Sequence, residues 1–274
     1  MKGLLFGGCS FTWGQGLYFY SDLNRLKDPP EWQFNQNLVT TSHIKFKDTI
    51  RYPRLIANHF KTFEVFKKEN GGSEDETFDF FDQVFDIERK ITSKEHLIAR
   101  DQRFHYDDFE FIILQTSQIW RNKFYFNLDG IDQWSFVWKS GIGENIENFQ
   151  KWLDVNNLEF DDWVELFTKQ QVKRIKEKFE FYESKGIKCL LFSWETNHLP
   201  FIKEDKFLSD RFIDLEYKES FYTNIFDMIS KNPELEISKD YENLGPNPPK
   251  DHHPSKLCHE VFANNIIKKM KSRL

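Results

Sequence analysis

Long apolar runs are missing from this chain. No stretch approaches the ~20 successive apolar residues of a membrane-spanning helix, and Leu4-Leu5-Phe6 is too short for the core of a secretory leader. A membrane partner and an exported location are therefore not expected. Cysteine is scarce as well. Cys9, Cys189 and Cys258 are an odd set without metal-ligand spacing, which argues against a disulfide framework and for reduced thiols in the cytoplasm. Packing is the role expected of Cys189. Basic charge is outweighed, 38 Lys and Arg against 44 Asp and Glu for a net charge of −6. A nucleic-acid backbone would be repelled on average, so no nucleic-acid partner is expected. His43, His59, His96 and His105 show no ligand spacing, and neither a metal nor an organic cofactor is expected.

Aromatic residues, by contrast, are abundant: 17 % of the 274 residues, including 30 Phe and 8 Trp. With 39 % hydrophobic residues, a real core is available to one large α/β domain spanning residues 1–274. Leu4-Leu5-Phe6 ending in Gly7-Gly8, Phe63 to Phe66, Phe109 to Leu114 and Ile187 to Phe192 read as buried strands. Helical spacing covers Asp48 to Phe60, Thr77 to Ile87, Val164 to Lys185 and Pro254 to Leu274, with Gly186 as a stop. Strands alternating with helices predict a parallel sheet covered on both faces, a three-layer α/β/α arrangement. Three aromatic- and charge-rich stretches, at about 18–47, 88–107 and 123–162, are expected to be insertions over or beside the strand ends. Trp134, Trp138, Trp152 and Trp163 fall in or beside the last of them and are expected to form a small aromatic core there.

In such sheets ligands bind beyond the carboxyl ends of the strands, and the polar clusters of this sequence sit there. Gly8-Cys9-Ser10-Phe11-Thr12 follows the first strand directly. A serine on that turn can expose its hydroxyl among backbone N–H groups, although a helix N-cap is the simpler role. Serine needs a base to become a nucleophile. Asp251-His252-His253-Pro254-Ser255 offers a histidine with a carboxylate nearby to fix its tautomer.

Together these blocks resemble the SGNH/GDSL hydrolase superfamily of flavodoxin-like α/β esterases, lipases and acetylhydrolases. Phe6 to Gly14 matches the nucleophile block and implies Ser10 as nucleophile. Asn70-Gly71-Gly72-Ser73, with Tyr52-Pro53-Arg54-Leu55 before it, resembles the second block and implies the Gly72 N–H as an oxyanion donor beside that of Ser10. The last block implies His253 as base and Asp251 as its partner. Cys9 stands where the family has aspartate, and Asp251 precedes the histidine by two places where three is commoner. Gln115-Thr116-Ser117-Gln118 replaces the usual glycine, any residue, asparagine, aspartate. The missing asparagine donor would fall to Ser117, with Thr116 or Gln118 as the alternatives and as candidate substrate contacts.

Arg121 could hold a substrate carboxylate or phosphate, or equally make a surface ion pair. His198 is a minor strand-end candidate. The resemblance implies a cofactor-free esterase acting on a small-molecule or carbohydrate ester through an acyl-enzyme. The alternatives are a binding or structural module with weak or no catalysis, and an O-acyltransferase.

Overall fold

The structure, a computed structural model, describes residues 1–8, 12, 17, 20, 41–66, 73–85, 104–136, 146–237, 239 and 253–274. In chain order it begins β1 (Gly3–Gly7), α1 (Thr41–Ile50), α2 (Tyr52–Phe60), β2 (Glu64–Phe66), α3 (Glu74–Phe85) and β3 (Phe109–Thr116). Then come β4 (Lys123–Leu128), β5 (Ile131–Phe136), α4 (Ile146–Val155), α5 (Phe160–Ser184) and β6 (Lys188–Ser193). The chain closes with α6 (Leu199–Glu204), α7 (Lys206–Arg211), β7 (Leu215–Tyr217), β8 (Ser220–Tyr222), α8 (Ile225–Lys231) and α9 (Lys256–Lys271).

Four of these strands make one all-parallel sheet in the order β2-β1-β3-β6. The register sets Phe6 beside Phe66 on one side and Ile113 on the other, and Ile113 beside Leu190. Successive strand residues point to opposite faces, and the core divides accordingly. Leu4, Phe6, Phe111, Ile113, Leu190 and Phe192 pack with residues of α2, α8 and α9. Leu5, Ile112, Leu114, Cys189 and Leu191 pack on the other face with residues of α3, α5, α6 and α7. Both faces are dry, which is why these strands read as continuous apolar runs. The architecture is three-layer α/β/α.

Helix ends follow the local chemistry. Ser73 opens α3 with a reciprocal capping box: its Oγ accepts from the Glu76 N–H at 3.2 Å, and Glu76 Oε2 accepts from the Ser73 N–H at 3.0 Å. Ser255 Oγ accepts from the Cys258 N–H at 3.2 Å to start α9, whose last turn carries Lys268, Lys269 and Lys271. Gly186, with φ +86°, ends α5 in the left-handed region. Spacing predicted one helix from Asp48 to Phe60, but the structure has two. Pro53 lacks an N–H and crowds the carbonyl of Thr49, so the helix breaks and Arg51 is extended, at φ −74° and ψ 148°.

The 123–162 stretch builds a third cluster of its own. β4 and β5 form an antiparallel hairpin around Asp129-Gly130, both with positive φ, 54° and 79°. Phe126, Phe149, Leu153, Trp163 and Phe167 are buried together, with Phe124 and Trp152 packed on them and Ile119 joining from the loop after β3. Trp152 and Trp163 both contact Phe124 and Phe149. Trp134 is half-buried on β5 outside this cluster, and Trp138 lies outside the described residues. No helix among the described residues is long and apolar enough to cross a membrane.

Candidate active site

The carboxyl end of β1 is shaped by two glycines. α3 lies so close over Gly7 that a Cβ there would come within 2.2 Å of Thr77 Cγ2. Gly8, at φ +155°, takes a conformation that L side chains rarely adopt, and a Cβ would come within 2.2 Å of Thr12 Oγ1. Thr12 is wholly buried. Its hydroxyl lies 2.8 Å from the Tyr52 hydroxyl and donates to Gln115 Oε1 at 3.0 Å. Thr12 is thereby tied to α2 and to the last residues of β3.

Tyr52 continues the connection to the end of the chain. Its backbone N–H donates to His259 Nδ1 at 3.2 Å, and its ring stacks on the imidazole. An accepting Nδ1 puts the proton of the neutral ring on Nε2, a buried nitrogen with no hydrogen-bond partner among the described residues. Burial, then the charges of Arg51 and His253, pushes His259 down to about 3. His259 is therefore a neutral packing residue, and His253 lies near enough to be felt by it. His253 is half-buried, and its carbonyl accepts from the Ile237 N–H at 2.9 Å. Pro254 bridges to Glu236, which fixes the approach to α9. The Tyr20 hydroxyl accepts from the Lys256 N–H at 3.2 Å, so a residue of the 18–47 stretch seats on that approach.

Beyond β3 and β6 lies a second group of polar residues, buried at Glu74, Ser117, Asn122 and His198 and half-buried at Glu195 and Asn197. Glu74, 1 % exposed, accepts from the Ser117 N–H at 2.6 Å and from Asn122 Nδ2 at 2.8 Å. The Ser117 hydroxyl is 3.5 Å from the same carboxylate. Glu195 Oε1 accepts from the Ile119 N–H at 3.0 Å and from Asn197 Nδ2 at 3.3 Å. Burial raises Glu195 to about 7; the Ile119 N–H opposes this, Glu74 adds to it and Arg121 opposes it. His198 is fully buried with Nε2 at 3.8 Å from Glu74 Oε1, and neither ring nitrogen has a hydrogen-bond partner among the described residues. Burial lowers its pKa despite the nearby carboxylate, so the ring is neutral. No group of three or more His, Cys, Asp or Glu among the described residues could hold a metal ion.

The chain matches no family model, no curated protein and no solved structure.

Of the residues singled out by sequence, Ser10, Gly72 and Asp251 lie outside the described residues. Ser117 is buried with its N–H and its hydroxyl turned to Glu74, so an oxyanion donor here would first have to release that carboxylate. Thr116 is wholly buried with its hydroxyl 2.9 Å from Ser193 Oγ, and in this conformation it offers a ligand nothing. Gln118 is half-buried, and its carbonyl accepts from the Arg121 N–H at 3.0 Å. Arg121 makes no ion pair among the described residues and keeps Nη1 buried without a hydrogen-bond partner. Thr12, Tyr52, Glu74, Asn122, Glu195 and His259 were not foreseen as organising residues. The signal for Glu74 was its place directly after Ser73, at the start of a helix packed beside the end of β3.

Proposed function

We propose that the chain is an SGNH-type serine hydrolase that cleaves an ester through an acyl-enzyme. Ser10 attacks the ester carbonyl while His253 takes its proton, and Asp251 holds the imidazole. The alcohol leaves with the proton returned by His253, and water, activated by the same base, releases the acid. The N–H groups of Ser10 and Gly72 are the oxyanion donors, with Ser117 joining only if Glu74 lets it go.

One observation carries the reading: Tyr52 bonds through its hydroxyl to Thr12 and through its backbone N–H to His259. Thr12, two residues beyond Ser10 in sequence, and the helix that follows His253 are thus fastened to the same residue. Substrates of the proposed enzyme are small-molecule or carbohydrate esters. A cytoplasmic setting is supported by the free buried thiols of Cys189 and Cys258.

The test is labelling with a fluorophosphonate, then turnover of a small activated ester. Ser10→Ala should abolish both, His253→Ala should remove nearly all turnover, and His252→Ala should leave most of it. Labelling that persists in Ser10→Ala would end the proposal. A second reading, a binding module with the same fold, is favoured by the bond between Ser117 and Glu74. It predicts no labelling of the native chain.

A further inference from the structure

At the amino end of β6, an open cavity of 520 Å³ is lined by residues from the last turns of α5, α7 and α9. Its charged lining is Glu183, Lys188, Asp210, Lys269 and Arg273. Both acids are engaged by guanidinium groups. Arg211 holds the two oxygens of Glu183 through Nε and Nη2, and Asp210 Oδ2 accepts from Arg273 Nη1 at 2.8 Å. Lys188 pairs with Glu110 at 2.9 Å. Lys269, half-buried, makes no ion pair among the described residues. The other acid that acts on it, Asp214, is paired with Lys203 at 2.9 Å. One positive charge is therefore left over in this cavity, in a chain whose net charge is −6.

Arg273 is anchored through one nitrogen only. Nη1 donates to the Asp210 carbonyl at 3.2 Å and to its carboxylate, while Nε and Nη2 have no partner among the described residues. A guanidinium already held in place loses little freedom when its open edge takes an oxyanion. The helix ends bordering the cavity do not oppose an anion with bare carbonyls. Glu183 accepts from the Gly186 N–H at 2.9 Å, Lys268 from Ser272 at 3.4 Å and Met270 from Arg273 at 2.9 Å. We propose that this cavity binds the phosphoryl group of a small phosphorylated molecule, with the open edge of Arg273 on two oxygens and Lys269 on the third. The guanidinium edge alone would satisfy a carboxylate, whereas a phosphoryl group also gives the ammonium an oxygen. An anion there relieves the repulsion between Arg273 and Lys269 and the burial that together lower the Lys269 pKa. The volume leaves room for the rest of a small ligand. This site does not depend on Ser10 being a nucleophile.

Titration calorimetry of the full chain with inorganic phosphate and with glycerol phosphate, at low ionic strength, reads the site directly. Both should bind saturably, and acetate should bind about tenfold more weakly or less. Arg273→Ala and Lys269→Met should each weaken phosphate about tenfold or more, as expected when a charge-assisted hydrogen bond is lost. Lys269→Arg restores the charge and should recover binding, which separates loss of the site from loss of the fold. Lys218→Ala, at a cation paired with Glu234 on the β7–β8 turn, should leave binding unchanged. Absence of saturable binding up to about 10 mM phosphate, above ordinary metabolite affinities, overturns the proposal. So does acetate binding as tight as phosphate, or phosphate binding that survives in both Arg273→Ala and Lys269→Met.

Discussion

Tyr52 and His259 are stacked at 5.8 Å between ring centroids, and the Tyr52 N–H donates to the imidazole. This pair joins the first turn of α2 to α9, while the Tyr52 hydroxyl reaches Thr12. Among the described residues, Tyr52→Phe removes that last connection and keeps the N–H bond and the stacking. The expected loss is about 1 kcal/mol in urea unfolding, the usual net value of a buried hydrogen bond. A double-mutant cycle with Thr12→Val should recover most of that loss as coupling between the two residues. Strict additivity would mean that the two hydroxyls do not interact.

Gly8→Ala should be disruptive out of proportion to its size. The backbone at φ +155° is poorly suited to alanine, and the new methyl would meet Thr12. A destabilisation of about 1–3 kcal/mol is expected from the backbone alone. Gly130→Ala gives a comparison with open space around the Cβ but a positive φ of 79°. The excess of the Gly8 loss over the Gly130 loss reports the crowding by Thr12 and Gln115 together with the less favourable backbone at φ +155°, and equal losses would argue against that crowding.

His198→Phe should change how stability depends on pH. The folded protein holds this histidine below its ordinary 6.5 because it is buried. Below pH 6.5 the unfolded chain takes up a proton that the folded one refuses, so stability falls as pH drops through that window. His259 contributes with the same sign, since its folded value is about 3. Denaturation at a series of pH values should therefore show a shallower acid-side loss for His198→Phe than for the native chain. Superimposable profiles would place His198 in a more hydrated setting than the fold gives it.

Trp163→Ala should strike the aromatic cluster of β4, β5, α4 and α5. Trp163 is 3 % exposed and contacts Phe124, Phe149, Phe160 and Phe167. Removal of a buried tryptophan costs about 3–5 kcal/mol. Exchange protection should fall first in the hairpin and least in β1 and β3. Uniform loss across the protein would show that the cluster and the sheet unfold as one.

The sheet was legible because parallel strands buried on both faces leave unbroken apolar runs, as at Phe109 to Leu114 and Ile187 to Phe192. Gly186 and the lysines of α9 likewise state their helix ends through local chemistry. The Asp129-Gly130 turn is a hairpin signal, yet it stood inside a stretch read only as an insertion. What sequence could not give was the partner of a buried polar group. Ser117 sits where a donor is wanted, but whether its N–H is vacant depends on Glu74, which is distant in sequence and brought in by α3. His198 is similar: its neutrality follows from burial, and nothing adjacent to it in the chain announces that.

The order of the central strands also governs how this protein must come together. Leu4 pairs with Glu64 and with Phe111, and Ile113 waits for Leu190. No strand of the sheet has a neighbour close by in sequence, so each pairing closes a long loop before any contact rewards it. During synthesis β1 emerges before the other strands of the sheet, stays unpaired until Glu64 to Phe66 have followed, and gains its second neighbour only with β3. Slow folding and dependence on protection of that first strand are built into the topology.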